Sequence, residues 1–143
     1  MNQDARRRLE DLLDREIEVA RSLAATLAAE RTALTGDSPD AVTQSAAEKV
    51  EFLGTIERLE EERRTLCAAP QAPGIAATVA ERWRALMELM AGCRTANEVN
   101  GHIIHVRQHQ TRQLLDIVRG GSPMTYGPHG KTFAKALHAL ARA

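Results

Sequence analysis

Between residues 75 and 119, one row of positions recurs at alternating spacings of four and three: Val79, Trp83, Leu86, Met90, Cys93, Asn97, Asn100, Ile104, Arg107, Thr111, Leu114 and Val118. Alternation of this kind is the spacing of a coiled-coil seam, and no strand can follow it. At about 1.5 Å per residue, a helix of about 45 residues extends about 65 Å. The two helical segments before it hold about 30 residues each, or about 45 Å. The third helix therefore cannot be covered end to end. Either it breaks near Gly92 or Gly101, or its far portion, residues 103–118, projects with apolar side chains exposed.

The segments before it read as a hairpin. Leu9, Leu13, Ile17, Ala20, Ala24, Leu27 and Leu34 mark the buried side of a first helix over residues 4–35, which stops at Gly36, a residue suited to a left-handed C-terminal position. Asp37-Ser38-Pro39-Asp40 supplies a capping side chain and a proline at the first helical position of a second helix, residues 39–68. Val42, Ala46, Phe52, Leu53, Ile56, Leu59, Leu66 and Cys67 form its expected buried side, and the run Glu60 to Arg64 its wet side. Lys49 is the exception, because it falls on the apolar row. So short a connection makes the two helices antiparallel neighbours. Pro70, Pro73 and Gly74 separate them from the third helix, residues 75–119.

The expected fold is all-α: a coiled-coil-like antiparallel hairpin with a long third helix, one elongated domain over residues 1–119. A flexible tail, residues 120–143, follows, in which Phe133, Leu137 and Leu140 suggest a short amphipathic helix at 131–142. Aromatic residues make up only 3% of the 143, so the core is built from Leu, Ala, Ile, Val and Met, which suits narrow helix seams.

Charge and motifs exclude several classes of function. The net charge is zero, with an acidic body and four basic groups and no acid after residue 116, too few and without aromatic interleaving for a nucleic-acid surface. No phosphate-binding loop, zinc-protease motif or nucleophile elbow occurs, and carboxylates on helix surfaces lack a pocket to tune them. Neither an enzyme nor a cofactor is expected. His102, His105 and His109 share a helical face but lie opposite the seam, so no metal site is assigned. Cys67 and Cys93 are read as packing residues. The first thirteen residues have no apolar h-region, and no run of eighteen apolar residues occurs, so a cytoplasmic protein without membrane insertion is expected.

Asn97 and Asn100 stand three residues apart on the seam, followed by Gly101. Two roles remain open for these amides: setting register inside the fold, or recognising a partner helix. Ile103, Ile104, Leu114, Leu115, Ile117 and Val118 are the apolar candidates for a partner surface beyond them. Self-association through the same stripe, giving a homodimer, is the alternative use.

The pattern Cys93-x-x-x-Asn97-x-x-Asn100-Gly101-x-Ile103-Ile104, then Leu114-Leu115, then Thr125-Tyr126-Gly127-Pro128-x-Gly130, resembles the FlgN family of flagellar export chaperones. The resemblance implies a cytoplasmic type III secretion chaperone that binds the C-terminal amphipathic helices of the hook-filament junction proteins. Such a chaperone prevents premature assembly and delivers its cargo to the export gate and ATPase components, which Tyr126 and Gly127 would touch. It implies cargo contact for Asn97, Asn100, Gly101, Ile103, Ile104, Leu114, Leu115 and Val118. A self-associating coiled-coil adaptor, or a chaperone for another flagellar cargo, is the alternative.

Overall fold

The computed structural model describes residues 2–70 and 76–120. It is all-α, with helices α1 (Gln3–Thr35), α2 (Pro39–Ala68) and α3 (Ala77–Val118), and no strand among the described residues. By its contacts the chain divides within α3 into two units, Met1–Asn97 and Glu98–Ala143. The expected tail helix at 131–142, the residues Tyr126 and Gly127, and the break at Pro73 and Gly74 lie outside the described residues.

Local chemistry sets the helix ends. Asn2 caps α1, its Oδ1 accepting the Asp4 N–H at 3.1 Å. Gly36 closes α1, and here the expectation of a left-handed residue is corrected: its backbone is extended, φ −99° and ψ −170°. What the position requires is room, since a Cβ there would stand 3.3 Å from the Thr32 carbonyl oxygen. The left-handed glycine is instead Gly120, φ 76°, whose N–H donates to the Ile117 carbonyl at 3.1 Å just past the end of α3. Ser38 caps α2, its Oγ accepting the Ala41 N–H at 3.3 Å, with Pro39 in the first turn. Replacing Ser38 with alanine removes that acceptor. A loss of about 1 kcal/mol is expected in urea unfolding, whereas an unchanged midpoint would show that water satisfies the donor equally well.

In the first unit α1 packs against both other helices. Glu16 pairs with Arg63 and Glu30 with Lys49, so α1 and α2 run antiparallel. Glu10 accepts from Thr78 and Asp14 from Arg82, so α1 and α3 run parallel. One apolar cluster joins Leu9, Leu13, Ile17 and Ala20 to Val79 and Leu86. A second joins Leu23 and Leu27 to Ile56 and Cys93, with Phe52 and Met90 packed against it.

Contact with two neighbours explains why α1 buries more than the single stripe read from the sequence. Leu12, Glu16, Leu23, Thr26, Glu30 and Ala33 are buried as well. On α2 one row of alternating three and four spacing is buried or half-buried: Val42, Ser45, Lys49, Phe52, Ile56, Leu59, Arg63 and Leu66. Leu53 and Cys67, expected inside, are exposed, because each lies one residue past that row. On α3 the buried residues are Val79, Leu86, Cys93 and Asn100, seven apart, whereas Trp83 and Asn97 are exposed and Met90 is half-buried. The seam is thus narrower than the full alternation. Of the two alternatives for α3, the helix passes unbroken through Gly92 and Gly101.

Candidate functional site

Two polar layers cross the first unit, two heptads apart on all three helices. In one, the Glu16 carboxylate accepts from Arg63 Nε at 2.9 Å and 3.3 Å, and the guanidinium carbon stands 4.6 Å from the Trp83 ring centroid. In the other, Lys49 Nζ lies 2.9 Å from Glu30 and donates to Asn97 Oδ1 at 3.3 Å. Each layer takes a buried carboxylate from α1, a cation from the seam of α2 and an electron-rich acceptor from α3. The cation bridges both neighbours. A planar guanidinium suits the layer that meets an aromatic face, and an ammonium suits the one that meets two oxygens.

The layers are costly as well as specific. Burial pushes the Glu16 carboxyl above its ordinary range of about 4.5, against the opposing charge and hydrogen bond of Arg63, and the Glu60 charge adds to the rise. Burial also raises the Cys93 thiol, whose Sγ lies 3.6 Å from the Ala20 carbonyl, so it stays protonated and unreactive.

Asn97 therefore has its oxygen engaged by Lys49. Asn100 has no accessible surface. Gly101 is half-buried, and a Cβ built on it meets nothing within 4 Å, so no close approach requires glycine there. Ile103, Ile104 and His105 are half-buried, and every residue from 106 to 120 is exposed. The apolar side chains of that stretch are large: Leu114 is 63% exposed, Leu115 45%, Ile117 55% and Val118 82%. The geometry thus separates the sequence-derived candidates into two groups. Asn97 and Asn100 sit among polar partners or out of reach of solvent, whereas Leu114, Leu115 and Val118 face it.

Arg63, Glu16, Glu30 and Trp83 escaped the sequence reading of function. The signal was present: Arg63 and Lys49 each stand seven residues from Ile56, and Glu16 and Glu30 each seven from Leu23. No group of three or more His, Cys, Asp and Glu side chains is placed to hold a metal among the described residues. No described helix is long and apolar enough to cross a membrane.

The described residues thus form helices alone, the last of which carries large exposed apolar side chains toward its end. The model of the FlgN protein family matches residues 1–133. The flagella synthesis protein FlgN of Yersinia enterocolitica (serotype O:8 / biotype 1B) is 32% identical over 130 residues, covering 86% of this chain and 88% of that protein. No solved structure gives a match. The chain belongs to the FlgN family, and so to the flagellar export chaperones, a family of proteins that bind flagellar proteins rather than of enzymes.

Proposed function

We propose that this chaperone works in the cytoplasm on the hook-filament junction proteins, holding their C-terminal amphipathic helices along the exposed end of α3 until the export apparatus receives them. The observation that carries the reading is the run of large apolar side chains, Leu114, Leu115, Ile117 and Val118, left in solvent on an unbroken helix. A soluble chain does not ordinarily carry such a stripe without a partner. Cargo helices that bury their apolar faces only in the assembled filament need a temporary cover, and a helix packed along a helix supplies one.

In this reading Leu114, Leu115 and Val118 supply contact area, with Ile103 and Ile104 at its near edge. Asn97, Asn100 and Gly101 mark the step at which polar bonding within the fold gives way to cargo contact. A few hundred Å² of apolar surface at about 25 cal/mol per Å² corresponds to several kcal/mol before ordering costs reduce it, which gives reversible binding suited to hand-over. Tyr126 and Gly127 are the proposed contact with the export gate.

Titration calorimetry with junction-protein C-terminal segments of about 40 residues, long enough for a helix of several turns, tests the reading. Leu114→Lys with Leu115→Lys is expected to weaken binding at least tenfold, about 1.4 kcal/mol, with the melting temperature unchanged because both positions are exposed. Retained binding would remove the end of α3 from the cargo site. A stable homodimer by light scattering, together with no binding of any segment, would replace the chaperone reading with self-association.

A further inference from the structure

Beyond residue 102 the apolar side chains of α3 are too widely spread to form one stripe. Each residue of an α-helix advances about 100° around its axis. From Val106 round to Leu115 the apolar side chains then cover an arc of roughly 180°, with His105, His109, Arg112 and Asp116 on the opposite half. A helix that meets a single neighbour needs a stripe only about 100° wide.

Two rows make up that arc. Ile103, Val106, Gln110, Leu114 and Ile117 follow one another at spacings of three and four, and Ile104, Thr111, Leu115 and Val118 at seven, four and three. The rows lie about 110° apart. Arg107, which has an interaction of its own within the chain, runs between them. Val106 is 40% exposed, so the first row continues toward Ile103 without losing its open face. Thr111 does not break the second row, because its hydroxyl donates to the Arg107 carbonyl at 3.0 Å and asks nothing of a partner.

The same chain shows what a face of this width meets. The buried residues of α1, from Ala33 round to Ile17, span roughly 200°. That helix has two neighbours: Leu9, Leu13 and Ile17 share a cluster with Val79 and Leu86 of α3, whereas Glu16 and Glu30 pair with α2. One helix laid along either row of the end of α3 leaves the other row in water. It also buries little, since a row about 20 Å long falls well short of the ~800 Å² per partner of a standard interface. Two helices joined in one chain cover both rows and lose their rigid-body freedom only once.

We propose that the end of α3 receives two helical segments of one cargo chain, one on each row, and acts as the central helix of a three-helix unit, as α1 does among its own neighbours. The two rows thereby select a cargo that presents a pair of apolar-faced helices over one that presents a single helix. The proposal rests on the reading of the end of α3 as the cargo surface.

Row-specific variants of the full chain, with full-length junction proteins as probes, test it. Val106→Lys with Ile117→Lys strikes the first row and Leu115→Lys with Val118→Lys the second, all at exposed positions, and lysine is a good helix former. Each pair is expected to weaken binding at least about tenfold, with circular dichroism and melting temperature unchanged. Light scattering should give one cargo chain per chaperone. Hydrogen exchange should show two separate cargo segments protected, with each pair of substitutions releasing one of them. Protection of a single segment, or weakening by one pair alone, would overturn the second helix and leave the cargo surface standing. Two cargo chains on one chaperone would overturn the origin of both helices in one chain. Binding unchanged by either pair would remove both readings.

Discussion

Replacing Arg63 with methionine is expected to remove about 3–5 kcal/mol of stability at pH 7, the cost of leaving a buried carboxylate without its partner. Methionine keeps most of the side-chain stem, so the loss reports the charge rather than a cavity. Glu16 is only 2% exposed and its carboxyl already titrates above 4.5, because desolvation outweighs the help that Arg63 gives. With Arg63 gone, both influences that lower it vanish and it rises further. The sign of the pH dependence follows. Between 4.5 and the raised value the folded chain binds a proton that the unfolded chain does not, so stability increases as pH falls through that window. The deficit of the variant should therefore shrink on acidification, and urea midpoints measured across that window check it. Replacing Glu16 and Arg63 together by leucine is expected to leave stability unchanged or higher by about 1–4 kcal/mol. A single variant as stable as the parent at pH 7 would mean that water reaches Glu16 and that the layer is not a buried ion pair.

A loss of similar size is expected from Leu27→Ala, about 2–5 kcal/mol. Leu27 is 1% exposed, in the cluster that holds Leu23 of α1, Ile56 of α2 and Cys93 of α3 together. Its removal opens a cavity against all three helices at once, and a backbone fixed by ion pairs two heptads apart has little freedom to collapse into it. Leu53→Ala is the matched control. Leu53 is 40% exposed beside the seam, so its truncation should cost far less, within about 0.5–1 kcal/mol. Equal losses for the two, at unchanged dependence on denaturant, would contradict the register of α2 described above.

The difference between those two leucines marks how far the sequence could be read. The helices, their punctuation at Gly36 and Pro39 and the hairpin all follow from spacing and length, because those features depend on local geometry, whereas spacing and length left open whether α3 breaks or runs on with its end exposed. The cap at Ser38 was legible for the same reason. Which side of each helix is buried was less so. On α2 the buried row runs through Lys49 and Arg63, and reading charged residues as wet displaced the inferred face toward Leu53 and Cys67. On α1 the sequence suggested one stripe, whereas two partners require a wider face that takes in Glu16 and Glu30. A carboxylate and a cation 47 residues apart carry no local sign of belonging together, and only the register of the hairpin brings them into contact. Asn97 was legible as a polar residue needing a partner, but its partner, Lys49, lies 48 residues away and was seen only as an oddity of its own helix.

The bare end of α3 also has a thermodynamic character of its own. Helices much shorter than about 12–15 residues are marginal in water when they stand alone, and the stretch from 106 to 118 is of that order, with no buried side chain along it. It is continuous with the rest of α3 and followed by the left-handed Gly120. Under the proposed function, occupation of that end would act on the helix–coil balance of the receiving segment as well as on the cargo, so that each helix would template the other's order. Affinity would then depend on the intrinsic helicity of residues 106–118, and substitutions that touch no cargo atom would tune release simply by making that last stretch a better or poorer helix.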